Sequence, residues 1–283
     1  MTYMQFHFLF IFPPILIMAA MAPAIRHRLG SRGFLGVLAV PIIAFVYTTP
    51  WDNYLVYRGI WWYGADRVVG TVGYVPIEEY MFFLLQPVLT GLFTLHLLAR
   101  RRPDPGDPSV HPSGRDAGTG VAAASPRPLP GLRLEPPPAR PGRMRVLGAL
   151  PWFVLGAIGA GLLRTEAGLY MGLILAWAPP VVGFMWLYLG HELWRHVHVL
   201  GLAIGLPTLY LWVADAVAIR QGIWTISSEY TFGVNPFGLP VEEATFFLVT
   251  NVLSALGVLL FTIPGLHEHR AGTRITASAG VHR

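Results

Sequence analysis

Two stretches of the sequence place a pair of adjacent glutamates directly before an apolar run. The first, PIEEYMFF, contains Glu78 and Glu79, and the second, PVEEATFF, contains Glu242 and Glu243. Proline and glutamate both suit the first turn of a helix, so helix capping is one explanation of the pattern. A carboxyl group among apolar side chains also holds its proton more readily than one in water, and can then act as a general acid. We therefore predict acid–base chemistry at both stretches.

Aspartates and aromatic rings accompany both glutamate pairs. Asp52 and Asp215 each lie seven residues before the glycine of a Gly-Ile-Trp sequence. Aromatic faces stabilise cations, so an acid beside them has the groups needed to protonate an alkene; the aromatic belt of a membrane interface is the alternative explanation of the rings. The predicted catalytic residues are Asp52, Glu78, Glu79, Asp215, Glu242 and Glu243. The predicted substrate-binding residues are Phe82, Phe83, Phe246, Phe247, Trp61 and Trp224.

The composition is that of a membrane protein. Of the 283 residues, 54% are hydrophobic and 12% are charged, against about 25% charged residues in soluble domains. The net charge of +5 comes from arginine without any lysine, and we attribute it to membrane topology rather than to a nucleic-acid surface. The chain has no cysteine, which excludes disulfides, thiolate nucleophiles and cysteine-ligated metals.

Seven segments are apolar over the length of about 20 residues that a membrane-spanning helix needs. They cover residues 5–25, 34–54, 79–98, 146–163, 169–189, 200–219 and 243–263. The predicted fold is therefore an all-α polytopic membrane protein with seven transmembrane helices. Residues 100–145 are rich in proline, arginine, glycine and serine, and we predict a disordered tether there. Residues 267–283 are predicted to form a polar tail.

The matched motifs occur in the same order in two parts of the chain, which indicates an internal repeat. Pro13-Pro14 in the first helix corresponds to Pro179-Pro180 in the fifth. We predict a 3+1+3 tandem parallel repeat, in which residues 1–99 and 165–266 form two three-helix halves that pack on each other. Residues 146–164 would form a spacer helix that returns the second half to the orientation of the first.

Arginine placement predicts the orientation of the helices in the membrane. One side receives the 1–2, 3–4 and 5–6 loops and the C-terminus, and it carries most of the arginines. The opposite side has only Arg58, Arg67, Arg164 and Arg220. Because basic residues are enriched on the cytoplasmic side, we predict a multi-pass protein of the cell membrane with its N-terminus outside and its C-terminus in the cytoplasm. Both glutamate pairs then lie at the non-cytoplasmic face.

Taken together, these features resemble the membrane-integral lycopene cyclases. The resemblance rests on the doubled P-x-E-E-x-x-F-F motif and on the two Asp-x6-Gly-Ile-Trp elements, set in a 3+1+3 frame. In that family two three-helix halves occur as separate subunits or fused in one chain, and this sequence resembles the fused form. The similarity extends over residues 1–100 and 165–265 and leaves out the tether and the tail.

The resemblance implies a role in carotenoid biosynthesis. The expected reaction is the acid-catalysed, non-redox cyclisation of the ψ-ends of lycopene to β-ionone rings, through γ-carotene to β-carotene. One glutamate of each pair is expected to act as acid or base, with the nearby aspartate in support, and the motif leaves open which glutamate holds the proton. No cofactor is expected. The expected partners are lycopene or a related carotenoid and membrane lipid, and other enzymes of the carotenoid pathway are candidates.

Three alternatives are weighed against this prediction. A related cyclase could form ε- or γ-rings, or act on a C50 carotenoid. A membrane transporter also fits parallel repeats with intramembrane acids, but here the acids are predicted at one face rather than at the midplane. A retinal protein is excluded, since its Schiff base needs a lysine. A metal site at His191, Glu192, His196 and His198 is not predicted, because only one half carries these residues.

Overall fold

The computed structural model describes residues 1–29, 31–101, 129, 132 and 134–280, with the backbone alone for residues 27, 28 and 264–280. Seven helices within these residues are long and apolar enough to cross a membrane. They are α1 (Tyr3–Phe6, a π-helical turn His7–Ile11, and Phe12–Leu29), α2 (Arg32–Tyr57), α3 (Ile77–Ala99), α4 (Pro141–Leu162), α5 (Leu169–Leu175 and Ala178–Arg195), α6 (Val197–Arg220) and α7 (Val241–Gly280). The prediction of an all-α polytopic membrane protein with seven transmembrane helices is confirmed.

Most helix bounds differ from the predicted ones, and α5 for example ends at Arg195 rather than at residue 189. α4 begins at Pro141 rather than at residue 146, because proline is well suited to the first turn of a helix. α7 continues beyond residue 263 as far as Gly280. Most of the predicted tether (residues 102–128, 130, 131 and 133) lies outside the described residues, as do residues 281–283 of the predicted tail.

α3 and α7 form the centre of the bundle. Their most apolar windows are 72% and 67% buried, whereas no other spanning helix exceeds 39%. A buried polar network joins them: Gln86 Nε2 and Thr90 Oγ1 of α3 both donate to Asn251 Oδ1 of α7. Asn251 Nδ2 in turn donates to Thr208 Oγ1 of α6 at 3.1 Å. Hydrogen bonds of this kind hold membrane helices together, because lipid offers no alternative partner.

α2 and α6 end in the same way, each followed two residues later by a glycine, Gly59 or Gly222. Both glycines have positive φ (67° and 63°), a left-handed conformation that glycine adopts without the penalty of a Cβ. The next residues, Ile60 and Ile223, donate their N–H to the carbonyl five residues back at 3.0 and 3.1 Å, which is the Schellman arrangement for a helix C-terminus. Both isoleucines are fully buried. The Gly-Ile-Trp sequence is thus a helix stop that leads directly into a short strand.

Short strands follow the two helix stops and pair with each other. The strands of the structure are β1 (Trp61–Tyr63), β2 (Thr71–Val72), β3 (Val75–Pro76) and β4 (Trp224–Ile226). β2 and β3 form a hairpin before α3, while β1 and β4 form an antiparallel ribbon. At the centre of this ribbon Trp62 lies opposite Thr225, the residue that corresponds to it in the sequence repeat. If a twofold axis relates the two strands, equivalent residues must lie opposite each other at the centre, as they do here. The 3+1+3 arrangement of the whole chain stays a prediction.

The first helix of each predicted half is irregular. α1 contains the π-helical turn His7–Ile11, and such a turn accommodates an extra residue. α5 is interrupted between Leu175 and Ala178. The extra residue in α1 accounts for a difference in spacing, because Tyr3 precedes the prolines of its helix by ten residues and Tyr170 precedes those of α5 by nine.

Candidate active site

Four carboxyl groups from four helices line one small cavity, at the end of the bundle where α3 and α7 begin. Glu79 and Glu243 lie in the first turns of α3 and α7, and Asp52 and Asp215 lie near the ends of α2 and α6. The cavity has a volume of about 40 Å³. The rest of its lining is aromatic except for Ile226, and comprises Tyr3, Trp61, Tyr63, Phe82, Tyr170, Trp224, Phe246 and Phe247.

Tyrosine hydroxyls donate hydrogen bonds to both cavity glutamates. The Tyr3 hydroxyl donates to Glu79 Oε2 at 2.7 Å, and the Tyr63 hydroxyl donates to the same oxygen at 3.2 Å. The Tyr170 hydroxyl donates to Glu243 Oε1 at 2.6 Å. Tyr3 begins α1 and Tyr170 lies in the first turn of α5. Corresponding elements of the two predicted halves therefore supply corresponding donors.

Tyr63 lies in β1, outside the membrane-spanning segments. Burial, together with the nearby carboxyl groups of Glu79 and Asp52, raises the pKa of Tyr63 well above its usual range. The phenol therefore keeps its proton at neutral pH and remains a hydrogen-bond donor to Glu79. Ile226 ends β4 as Tyr63 ends β1, so Glu243 receives no second tyrosine from the ribbon.

The first glutamate of each pair does not line the cavity but holds the preceding loop. Glu78 Oε1 accepts a hydrogen bond from the backbone N–H of Val69, and Glu242 Oε1 accepts one from that of Phe232, both at 2.8 Å. Both side chains are completely buried. The structure thus separates the predicted glutamates into two loop-binding residues and two cavity residues, a division that the motif alone does not make.

The two aspartates are buried beside the cavity glutamates. Each is 1% exposed, and each lies within electrostatic reach of both Glu79 and Glu243. Asp215 Oδ1 accepts a hydrogen bond from Trp224 Nε1 at 2.9 Å. Within the described part of the chain, Oδ2 of both aspartates has no hydrogen-bond partner. Since like charges so close together cannot all be ionised, this cluster can hold and transfer protons.

Aromatic rings of both predicted halves interlock around the carboxyl groups. Trp61 contacts Tyr170 with ring centroids 5.3 Å apart, and Trp224 contacts Tyr3 at 4.9 Å. Phe82 and Phe247 meet edge to face at 6.0 Å. Five of the six predicted substrate-binding residues line the cavity. Phe83 is the exception, and it lines a neighbouring apolar groove instead.

Sequence reasoning missed Tyr3 and Tyr170 as partners of the glutamates. Tyrosines near the ends of membrane helices commonly lie at the membrane interface, so their presence there does not by itself indicate a role in a site. A signal was nevertheless present, since both residues precede the Pro-Pro pair of their helix at nearly equal spacing. Nothing in the sequence pairs Tyr63 with Glu79.

The histidine-rich stretch in α5 and α6 participates in polar contacts with residues near the start of α4. His198 Nε2 lies 2.7 Å from Glu135 Oε1, and Arg145 Nε donates to His191 Nδ1 at 3.2 Å. Arg195 pairs with Glu192 within α5 at 3.5 Å. These residues are distant in the fold from the carboxyl cavity, because they lie at the opposite ends of the helices.

A family model described as lycopene cyclase matches residues 1–97 and 169–263. The chain belongs to the lycopene cyclase family. The matched residues contain all the groups that line the carboxyl cavity. Among its relatives is the lycopene beta-cyclase of Halobacterium salinarum, with 38% identity over 264 residues, which cover 92% of this chain and 95% of the relative.

Fungal members of the family are longer. The bifunctional lycopene cyclase/phytoene synthase of Podospora anserina is 34% identical over 92% of this chain, and the match covers 40% of that protein. The protein of the same name from Gibberella fujikuroi is 31% identical over 91% of this chain and is covered to 39%. No solved structure matches the chain.

Proposed function

We propose that this member of the lycopene cyclase family is a membrane enzyme of carotenoid biosynthesis that converts the ψ-ends of lycopene to β-rings. The observation that carries the proposal is that Glu79 and Glu243 line one cavity together, among aromatic rings and beside two buried aspartates. The lycopene beta-cyclase name of a relative at 38% identity over 92% of the chain supports this substrate and this ring type.

The proposed reaction is an isomerisation in which one proton is added and another is lost. A cavity glutamate donates a proton to C2 of the terminal C1=C2 double bond, which leaves a cation at C1. The π electrons of the C5=C6 double bond then form the C1–C6 bond and move the cation to C5. Loss of the C6 proton to a carboxylate restores the C5=C6 double bond within the ring. No electrons are gained or lost, so the chemistry needs only an acid and a base.

Glu79 and Glu243 are proposed as this acid and base, with Asp52 and Asp215 as a supporting pair that takes up and returns protons. The faces of Trp61, Trp224 and the cavity phenylalanines would stabilise the cation by cation–π attraction. Tyr3, Tyr63 and Tyr170 would orient the two glutamates toward the substrate. Glu78 and Glu242 would keep the two loops closed over the cavity, since each accepts a backbone hydrogen bond there.

We also propose that residues 1–99 and 165–266 are duplicated halves that build this one site together. Three observations support the proposal: the symmetric register of the β1–β4 ribbon, the matching helix stops at Gly59 and Gly222, and the matching glutamate–loop bonds. α4 packs against α5, which agrees with a spacer between the halves. The two separate stretches that the family model matches agree with the same division.

The proposed orientation has the N-terminus outside the cell membrane and the C-terminus in the cytoplasm, which follows from the arginine distribution. The carboxyl cavity would then lie near the outer face. Single cysteines introduced into this cysteine-free chain provide the test. A cysteine at exposed Val69 should react with an impermeant maleimide in intact cells, whereas one at Arg143 should react only after lysis. The reverse labelling pattern would show that the orientation in the membrane is opposite to the one proposed.

Expression in lycopene-accumulating cells tests the function. The wild-type chain should convert lycopene to β-carotene, with γ-carotene as the monocyclic intermediate, as measured by chromatography of the extracted pigments. The matched control is the double variant Glu79→Gln/Glu243→Gln, in which amides replace both carboxyls at nearly constant volume. It should reach the membrane in equal amount and leave lycopene unchanged. Unconverted lycopene with abundant wild-type protein in the membrane would reject the proposed function.

A further inference from the structure

A second, larger cavity lies beside the carboxyl cavity. It is an apolar groove of about 260 Å³ between α2, α3, α5 and α7, and residues that define it include Ile43, Tyr47, Trp177, Met185 and Phe261. Ile43 and Tyr47 are 59% and 50% exposed, so the groove opens on the outer surface of the bundle. In a membrane that surface faces lipid, and a hydrocarbon dissolved in the bilayer can reach it directly.

Three polar side chains in the groove wall form hydrogen bonds within the protein. The Thr250 hydroxyl donates to the Phe246 carbonyl at 2.9 Å, and the Ser254 hydroxyl donates to the Thr250 carbonyl at 2.8 Å. The Gln86 amide donates to Asn251 at 2.7 Å. These three groups are satisfied without a ligand, whereas Trp177 Nε1 in the same wall has no hydrogen-bond partner among the described residues. Most of the wall is hydrocarbon. A ligand with polar groups would lose hydrogen bonds with water on entering the groove, whereas an apolar ligand would not.

The groove adjoins the carboxyl cavity. Phe82 and Phe246 line both spaces, so these two rings stand where one space meets the other. From Phe246 the groove extends along α7 to Phe261, which corresponds to about 22 Å at the 1.5 Å rise per residue of an α-helix. It is therefore long, and one end lies at the two rings that also line the carboxyl cavity.

We infer that this groove holds the polyene chain of an acyclic carotenoid while one end group occupies the carboxyl cavity. The inference rests on the proposed function and extends it to the part of the substrate that does not react. An extended hydrocarbon without polar groups matches a long apolar wall that leads to a cluster of acids. Burial of that chain would supply binding free energy, and the reacting end would be held against Glu79 and Glu243 by contacts far from the reaction.

Neighbouring isoleucines of α2 provide a matched pair of variants. Ile43 and Ile42 are equally exposed, at 59% and 60%, but Ile43 lines the groove and Ile42 does not. Adjacent helical residues point in directions about 100° apart, so a bulky ring at residue 43 obstructs the groove while the same ring at residue 42 faces lipid. Ala44→Phe is a second obstructing variant, because Ala44 also lines the groove.

Binding is measured without turnover, in the Glu79→Gln/Glu243→Gln background reconstituted in lipid vesicles. Lycopene is achiral, so circular dichroism in its visible absorption band appears only when the protein binds it. We expect this signal in the background protein and after Ile42→Trp. We expect Ile43→Trp and Ala44→Phe to weaken lycopene binding by about tenfold or more, while thermal unfolding shows that all variants remain folded.

The outcomes separate this inference from the proposed function. Equal lycopene binding by the Ile42→Trp and Ile43→Trp variants would overturn the groove inference even if the wild-type protein cyclises lycopene. Absence of an induced signal in the background protein would overturn it as well, because lipid would then occupy the groove in preference to the polyene. Failure of the wild-type protein to convert lycopene would reject the cyclase proposal, and the binding measurement would still report on the groove.

Discussion

The two halves of the carboxyl cavity differ in how many donors surround each glutamate. Glu79 accepts hydrogen bonds from the hydroxyls of Tyr3 and Tyr63. Among the tyrosines that the structure describes around the cavity, only Tyr170 donates to Glu243. The difference comes from one position of the ribbon, where Tyr63 ends β1 and Ile226 ends β4. The two glutamates therefore occupy corresponding positions in the cavity but accept different numbers of tyrosine hydrogen bonds.

This inequality suggests a division of labour. Hydrogen bonds donated to a carboxylate favour its ionised form, so two donors favour the charged state of Glu79 more than one donor favours that of Glu243. The reaction needs one carboxyl that gives a proton and one carboxylate that takes a proton. We therefore expect Glu243 to be the donor and Glu79 to be the acceptor, and the predictions below test this division.

Replacement of the expected donor should have the largest effect. Glu243→Gln keeps the size of the side chain but has no proton to give, so the cation should not form and lycopene conversion should fall by roughly 10³-fold. Chromatography of pigments from lycopene-accumulating cells measures this fall. The control is Glu242→Gln, whose amide oxygen can still accept the Phe232 N–H, and it should cyclise lycopene close to the wild-type rate. A strong loss in the control with little loss in Glu243→Gln would assign the donor to the wrong glutamate.

Replacement of the expected acceptor should change the product as well as the rate. In Glu79→Gln the cation can still form, but the base for the C6 proton is missing, so conversion should fall by roughly 10²-fold. The cation would then lose a proton from another carbon, and part of the product should carry ε- or γ-rings. Chromatography with absorption spectra distinguishes these rings from β-rings. If Glu79→Gln and Glu243→Gln had the same rate and the same products, the two glutamates would not have separate roles.

Tyr63→Phe makes the surroundings of Glu79 resemble those of Glu243. The variant removes one hydrogen bond to the expected acceptor at nearly constant volume, and a hydrogen bond to a charged group is worth roughly 1.5–3 kcal/mol, so cyclisation should slow by about tenfold. The control is Tyr80→Phe, because the Tyr80 hydroxyl donates to the Val72 carbonyl at 2.8 Å and not to a cavity group. Equal rates in the two variants would mean that the second donor to Glu79 does not matter.

The smallest expected effect is a loss of stability, and it tests a second difference between the predicted halves, a polar residue in α7 that α3 lacks at the corresponding position. Asn251 joins α7 to Gln86 and Thr90 of α3, whereas the residue at the same distance after the first glutamate pair is Pro87. Asn251→Leu removes this network and should lower the free energy of unfolding by about 1 kcal/mol, as interhelical hydrogen bonds in membranes are worth roughly 0.6–2 kcal/mol.

Unfolding of purified Asn251→Leu protein in mixed micelles measures that loss. The control is Thr262→Val in the same helix, because the Thr262 hydroxyl donates to the Val258 carbonyl of its own helix at 2.7 Å. Its unfolding midpoint should stay near that of the wild type. An unchanged midpoint in Asn251→Leu would show that the network does not hold the two central helices together.

The helices were predictable from the sequence because length and apolarity alone decide whether a segment can span a membrane. The sequence did not predict which of two adjacent glutamates lines the cavity. Glu78 and Glu79 differ by one residue, about 100° of rotation around the helix, and the rotation of α3 is set by packing against α1, α2, α6 and α7. The sequence therefore located the acids along the chain and at one end of the bundle, but not the side of the helix on which each one lies.

The β1–β4 ribbon was also beyond sequence reasoning. Each strand has three residues, too few for a recognisable alternation of polar and apolar side chains. The pairing joins residues 163 positions apart, Trp62 and Thr225, and no local signal specifies so distant a partner. The Gly-Ile-Trp repeat was visible, but its meaning as a helix stop depends on the positive φ of Gly59 and Gly222.

The register of the ribbon bears on how such a protein could have originated. A strand that pairs antiparallel with its own counterpart, with equivalent residues at the centre, can pair in the same way with a second copy of itself. An ancestral chain with a single half could thus have closed a cavity as a homodimer, with two identical glutamates. After gene fusion the two copies could diverge in sequence. A homodimer has the same residue in both strands, so it cannot combine a tyrosine in one strand with an isoleucine in the other.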